Sequence, residues 1–425
     1  MIKRKLKPSE IDGILDGWNV ATLKDIAVVN EKTIDKKYPY SEIEYIDIAS
    51  VDNGRILEIR SLLKSEAPSR AQRIVRNNDI LLSTVRPNLK HFAFMETANP
   101  NTIASTGFAV ISSKTIDSRF LYYYLTTDKY TDYLSAIADA HTSTYPAFNP
   151  DILENSEILC PPEGEQRAIA KILSDLDAKI ELNYQINKIL ESMAQALFKR
   201  WFMDFDFPDD HGRPYRSSGG KMVDSEQGEI PIGWRIGRVS DFASLSRNSV
   251  NPSDHSGEIF YHYSLPAFDE KRMPIQEKGE AIKSNKFIVP LGCVLLSKLN
   301  PRIPRIWLPT VQGEYRSIAS TEFLVVISKK MVCREFLFCL FSSNHFLEVF
   351  SGLVTGTSGS HQRVRPENLL DIDIVVPSGE MIELFSLKVK TLFEKTSHNL
   401  YESSNLASLR DALLPRLMSG SMRVL

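Results

Sequence analysis

Residues 161–207 read PPEGEQRAIAKILSDLDAKIELNYQINKILESMAQALFKRWFMDFDF. Two prolines stop whatever precedes this stretch, and after them it holds no further proline and only Gly164. Starting at Gln166, alternate steps of three and four residues land on Ile169, Leu173, Leu176, Ile180, Asn183, Asn187, Leu190, Ala194, Leu197 and Trp201. This is the a/d seam of a helix packed lengthwise on another helix. The centre of the seam is polar, at Asn183 and Asn187. A helix of this length spans about 55 Å at about 1.5 Å per residue. A single buried core helix is the alternative, but globular helices commonly run about 8–20 residues.

The partner helix lies in the chain itself, because the sequence repeats. Gly17-Trp18 recurs as Gly233-Trp234, 216 residues later. Tyr45 then pairs with Tyr261, the LLS run at Leu81 with that at Leu295, and IASTGF from Ile103 with IASTEF from Ile318. FLYYYL from Phe120 matches FLFCLF from Phe336, and Pro161 matches Pro377. The same shift carries the seam to Ile382, Phe385, Val389, Leu392, Thr396, Asn399, Ser403, Leu406, Arg410 and Leu413, again polar in the middle. With middles aligned, Asn183 and Asn187 face Asn399 and Ser403, a polar layer that fixes register at some cost in stability. The pattern leaves parallel and antiparallel pairing open. A closed two-fold relation between the halves makes the helices antiparallel, with one globular domain near each end.

Between these features the chain reads as short apolar runs broken by turn residues. IEYIDIAS, DILLSTV and FAVISS are expected strands, and RFLYYYLTTDKYTDYLSAIA has helical spacing. The expected fold is therefore α+β, with two pseudo-repeated α/β domains joined by two long helices. The expected bounds are a first domain over 1–160 and a first helix over 161–206. A linker with the second domain follows over 207–378, and a second helix with the tail over 379–425. Residues 207–232, rich in Pro, Gly, Ser and charge, read as a surface linker.

Catalytic signatures are missing. The 425 residues hold no GxGxxG after a strand, no GxxxxGK[ST], no HExxH and no GxSxG. Nor is there an Asn/Asp-Pro-Pro-aromatic tetrapeptide of the amino-methyltransferase type. VTGTSGSH from Val354 reads as a solvated loop in preference to a phosphate cradle. Cys160, Cys293, Cys333 and Cys339 form no CxxC pair, and no His stands at a matching spacing. Free thiols in a reducing cytoplasm are expected, with no metal. No apolar run approaches the ~18 residues of a membrane span. The net charge of −2 speaks against a protein that coats nucleic acid, while leaving room for a local basic face.

Each repeat carries two matched polar loops. One pair is STVRPNLKH (Ser83–His91) and SKLNPRIPR (Ser297–Arg305). The other is HTSTYPAFN from His141 and TSGSHQRVR from Thr357. Arg, Lys and Asn pair with phosphates and base edges. The candidate DNA contacts are therefore Ser83, Thr84, Arg86, Asn88, Lys90, His141, Thr142 and Ser143 in the first repeat. In the second they are Ser297, Lys298, Asn300, Arg302, Arg305, Thr357, Ser358, His361, Gln362 and Arg363. Solvated loops are the alternative, yet the frames agree while the loop residues differ, as in a protein that reads two different half-sites.

These residues resemble one family. PPEGEQRAIAKILSDLDAKIELNYQINKILESMAQALFKRWFMDF from Pro161, DSEQGEIPIGW from Asp224 and the two GW-opened repeats are similar to the specificity subunit of type I restriction–modification systems. The resemblance covers essentially the whole chain. It implies antiparallel helices and a bipartite double-stranded DNA target, one half read by each domain across a gap set by the helices. It also implies two docked modification subunits that use S-adenosylmethionine to methylate adenine at N6. Restriction subunits driven by ATP and Mg complete the complex, and this chain itself holds neither cofactor nor catalytic residue. Seam packing or partner docking is expected of Leu173, Leu176, Ile180, Asn183, Asn187, Leu190 and Phe198. Val389, Leu392, Asn399, Ser403 and Leu406 carry the same expectation on the second helix. Ile172, Ile186, Met193 and Phe198 lie off the seam and fit helices packed alongside. The second helix opens GEMIELFS where the first has GEQRAIA, so its docking surface differs. The alternative is a DNA-binding or coiled-coil scaffold unrelated to methylation.

Overall fold

A computed structural model describes residues 17–141, 146–309, 313, 315–329, 334–355 and 362–424. The chain divides into two compact units, Met1–Ile180 with Asn405–Leu425, and Glu181–Ser404. The long helices, Glu163–Phe198 and Gly379–Met418, therefore contribute to both units and form no unit of their own. Among the described residues no helix is long and apolar enough to cross a membrane.

The first unit opens at Gly17, whose φ of +81° favours a residue without a Cβ. Trp18 follows, buried, and strand Asn19–Thr22 then pairs antiparallel with Glu157–Cys160. Two four-stranded sheets make the body. One has the order Ala27–Val29, Phe108–Ser113, Ile80–Ser83, Phe92–Phe94, all antiparallel. The other has the order Arg60–Leu63, Glu42–Ile46, Thr102–Ser105, Ala71–Ile74, with one parallel pair in its middle. Strand side chains alternate between faces. Ile80 and Leu82 accordingly join the core under the helices, while Leu81 joins the core shared with Ile46, Phe108 and Val110. A strand buried on both faces needs the continuous apolar run seen in the sequence.

The second unit repeats this plan. Gly233 has φ +85°, Trp234 is buried, and Arg235–Arg238 pairs with Asp373–Val376. Its antiparallel sheet is Ala243–Ser246, Phe323–Ser328, Cys293–Ser297, Ile306–Trp307. Its mixed sheet has five strands, and Ile259–Tyr263 runs parallel to Arg316–Ala319 as Glu42–Ile46 does to Thr102–Ser105. Sheet register corrects one sequence pairing. Tyr45 faces Ile103 and His262 faces Ile318, so the structural counterpart of Tyr45 is His262 and not Tyr261.

The helical stretch after each sheet is broken in two. Ser118–Leu125 and Asp128–His141 are separated at Thr126-Thr127, and Arg334–Phe341 and Asn344–Gly352 at Ser342-Ser343. The cause is capping. The Thr127 and Ser343 hydroxyls accept from the Tyr130 and Phe346 amides and start a new helix.

The long helices run antiparallel within each unit. In the first, Asp177 meets Arg410; in the second, Asn183 meets Glu402 and Ser403 while Asn187 meets Thr396 and Asn399. Leu173, Asn183, Asn187, Val389 and Asn399 are buried. Leu176, Ile180, Leu190, Leu392, Ser403 and Leu406 are half-buried. Phe198 differs from its expected place on an outer face. It is 2% exposed and packs on Phe202, Phe336 and Phe385 with centroids 5.0, 5.5 and 5.8 Å away. The wide turn Lys199–Met203 after it adds Trp201 and Phe202 to the same core. The linker is also more than a surface segment. Phe207 stacks between Tyr215 at 4.6 Å and Trp234 at 5.0 Å, and Phe205 and Ile230 are buried. Each such ring contributes about 1.5–3 kcal/mol by leaving water.

Candidate nucleic-acid interface

The LLS strand of each unit ends in the same turn. Ser83 Oγ donates to the Val85 carbonyl at 2.8 Å and accepts from the Val85 amide at 3.2 Å. Ser297 Oγ treats Leu299 identically, at 3.1 and 3.2 Å. Both serines are buried, so they shape the loop and do not face solvent. Thr84 is buried as well, and its hydroxyl donates to the Gly107 carbonyl. Three residues after each serine, Arg86 and Asn300 both take a left-handed backbone, each with φ +47°. A proline follows each, so a sharp outward turn is built from two stiff positions.

The two expected loops meet in each unit. Phe148 donates its amide to the Thr84 carbonyl and Arg86 to that of Pro146, with a bridge between Val85 and Ala147. In the second unit Val364 donates to Lys298 and Asn300 to Gln362, with a bridge between Leu299 and Arg363. Loops some sixty residues apart in sequence thus form one ridge, pinned by backbone hydrogen bonds.

Three of the ridge side chains hold carboxylates within their own unit. Lys90 Nζ binds Asp128 at 2.7 Å. Arg305 makes a two-pronged pair with Asp269, at 2.6 and 2.8 Å, and its side chain is only 13% exposed. Arg363 makes another with Glu322, both bonds at 2.9 Å. That pairing holds the Glu322 carboxyl below its usual range against the opposing effect of burial. Lys90, Arg305 and Arg363, expected to contact DNA, are therefore committed to partners within the fold. Arg86, Asn88 and Arg302 are exposed, and Lys298, Asn300 and Gln362 are half-buried. Asn300 Oδ1 is buried with no hydrogen-bond partner among the described residues, an acceptor the fold leaves open. His141 closes its helix, while Thr142, Ser143, Thr357, Ser358 and His361 lie outside the described residues.

The mixed sheets add residues that sequence reading missed. In the first unit, Asp47 receives Arg70 at 2.6 Å and Arg60 at 3.5 Å, and Arg70 Nε donates to Tyr45 Oη at 3.2 Å. In the second, His262 Nδ1 pairs with Glu277, and Lys286 donates to Ser284. Burial lowers the pKa of His262 while Glu277 opposes it. The signal existed only as single charged residues on separate strands or at their ends, and the register that assembles them is not readable from spacing. Among the described residues no group of His, Cys, Asp or Glu is placed to hold a metal ion.

Residues 15–192 match the type I restriction modification DNA specificity domain. The type I restriction enzyme HindI specificity subunit of Haemophilus influenzae is 25% identical, over 96% of this chain and 100% of its own length. The MjaIX specificity subunit of Methanocaldococcus jannaschii is 27% identical, over 99% and 97%. The crystal structure of the type I restriction-modification system S subunit from M. genitalium matches at 14% identity with a TM-score of 0.54, over 94% of this chain and 96% of that one, a likeness of fold. By its specificity domain and by these full-length alignments, the chain is similar along nearly its whole length to the specificity subunits of type I restriction–modification systems.

Proposed function

We propose that each unit reads one half of a split double-stranded DNA target, and that the long helices set the gap and hold the enzymes that act there. The observation that carries this is the ridge, identical in backbone construction in both units and different in what it presents. Arg86 and Asn88 are exposed in one, Arg302 in the other. An invariant frame with variable tips is how one scaffold reads two sequences.

The first helix supplies a docking face for a modification subunit. Leu182, Ile189 and Met193 are 52%, 59% and 52% exposed, and with half-buried Ile186 they follow one helical stripe. At the shifted positions the second helix has His398, Glu402, Asn405 and Leu409, so the two faces are unequal. The methyl transfer to adenine N6, with S-adenosylmethionine, belongs to that partner. ATP and Mg belong to restriction subunits, and the complex works in the cytoplasm. This chain contributes recognition and no catalysis. Methylation mapping in cells carrying this chain with its modification subunit tests the reading. Adenine marks confined to one interrupted sequence are expected, and random or absent marks refute it.

A further inference from the structure

A cavity of about 310 Å³ opens in the first unit. Tyr122, Tyr123, Tyr130 and Tyr133 line it from the two short helices. Asp177 and Arg410 close it from the long ones. Its volume falls at the lower end of small-molecule pockets, about 300–1,000 Å³.

The corresponding place in the second unit is filled. A shift of 216 residues replaces Asp177 by Phe393, Arg410 by Ala194, Tyr122 by Phe338, Tyr130 by Phe346 and Leu414 by Phe198. Phe338 and Phe393 pack edge to face at 5.1 Å, and all five belong to the core of that unit. The same fold thus closes this point with hydrocarbon in one repeat. In the other it surrounds open space with hydroxyls and charge. Packing alone does not require the second solution, since the first is available to the same frame.

The lining defines a ligand chemistry. Asp177 accepts from Tyr123 Oη at 2.7 Å and from Arg410 Nη1 at 2.7 Å, and a carboxylate has lone pairs for a further donor. Arg410 is held by Asp411 as well, and Lys90 by Asp128, so two of the three basic groups around the space already have anionic partners. Acidic side chains (Asp128, Glu157, Asp177, Asp411) outnumber basic ones (Lys90, Lys129, Arg410) around the space. Burial holds the Tyr122 and Tyr123 hydroxyls protonated, so they remain neutral donors beside π-faces. Gly54, with φ +89°, brings its backbone against the Tyr122 hydroxyl, where a Cβ would stand 2.8 Å away. Tyrosine faces with a carboxylate at their edge attract a flat cation.

We propose that this cavity binds a small aromatic cation, an amine or amidinium, with its ring against the tyrosines and its charge at Asp177. Occupancy would join the last turns of the second long helix, at Arg410, Leu414 and Met418, to the short helices of the first unit. The reading is independent of the proposed DNA function.

Benzamidine and tyramine serve as probes against the full chain, with benzoate and phenol as the anionic and neutral comparisons. Saturation-transfer NMR and thermal unfolding are expected to show saturable binding of the two cations below about 1 mM, with a raised melting temperature, and weaker response to the other two. Asp177→Asn keeps the shape and is expected to weaken benzamidine at least about tenfold. Should that variant fail to fold, Tyr122→Trp narrows the cavity without touching the ion pair and is expected to do the same. No saturable binding of either cation overturns the proposal. So do equal responses to all four probes, or affinity unchanged in the variants that fold.

Discussion

Glu165 shows how a single residue ties distant parts of a unit together. It lies in the GEQRAIA opening of the first long helix and is 7% exposed. It accepts from Trp18 Nε1 at 3.1 Å and from Arg423 Nε and Nη2 at 2.7 and 3.0 Å. Burial disfavours its charge, but the Arg423 and Trp18 bonds prevail and hold its pKa below the ordinary 4.5. A depressed folded pKa gives stability that is complete above the unfolded value and lost as pH falls through the folded one. Glu165→Gln is therefore expected to cost about 1.5–3 kcal/mol at neutral pH, the range for hydrogen bonds to charged groups. The difference from the parent should shrink below about pH 4.5. Urea melts at pH 7 and pH 3.5 measure both, and a difference constant with pH would remove Glu165 from the account. Glu322 acts on the proposed interface instead. It neutralises Arg363 on the ridge, so Glu322→Gln should free one cation on the ridge that also carries exposed Arg302. DNA affinity should then rise, with the slope of log K against log salt steeper by about one contact. Arg302→Ala should weaken binding, by about 1–3 kcal/mol at a single base position where it meets a guanine. Titrations at several salt concentrations distinguish these, and an unchanged slope in Glu322→Gln would place Arg363 off the DNA path.

The long helices were the most legible elements, because a 3.5-residue period held over ten positions fits little besides a helix packed along another helix. Every seam residue from Gln166 to Leu197 is buried or half-buried, including the two asparagines. Asn399 Nδ2 donates to Asn187 Oδ1 at 2.8 Å, and Asn183 Nδ2 donates to Glu402 at 2.8 Å and Ser403 at 3.2 Å. The layer is incompletely satisfied, since Asn183 and Asn399 each keep a buried Oδ1 with no hydrogen bond among the described residues. Such a layer lowers stability and fixes register. Asn399→Leu alone should lower stability by about 1–3 kcal/mol, because it strands the Asn187 oxygen. Asn187→Leu with Asn399→Leu should recover most of that loss. A double-mutant cycle by thermal melting checks the coupling, and additive losses would mean the pair does not act as a unit. The strands were legible for a similar reason, with ILLS and FAVISS as apolar runs on a buried sheet. The ridge partners were not. Asp128, Asp269 and Glu322 lie tens of residues from the Lys90, Arg305 and Arg363 they engage. Nothing in local spacing says which arginine or lysine a distant carboxylate engages. The Tyr45–His262 equivalence was hidden by a one-residue slip that only sheet register reveals.

At the scale of the whole chain, the repeat carries consequences that no single contact does. The two units share topology down to the parallel strand pair, the serine turn and the left-handed residue after it. Their ridges are nonetheless assembled from separate stretches of sequence. If each unit reads its own half-site, exchanging residues 17–160 for those of a relative should alter one half of the methylated sequence and leave the other intact. The helices enter differently, because both belong to both units. An insertion in one helix alone breaks the seam against the other and should destabilise the protein before it changes any target. A matched insertion of seven residues in each helix, placed next to Asn183 and Asn399, keeps a and d positions in phase. It lengthens the pair by about 10.5 Å at 1.5 Å per residue, the rise of about three base pairs at 3.4 Å each. The matched variant should therefore methylate the same two half-sites across a gap about three base pairs longer, as read by methylation mapping. An unchanged gap in a stably folded variant would show that the helices do not set the spacing. A change in the half-sites themselves would show that reading and spacing are not separable.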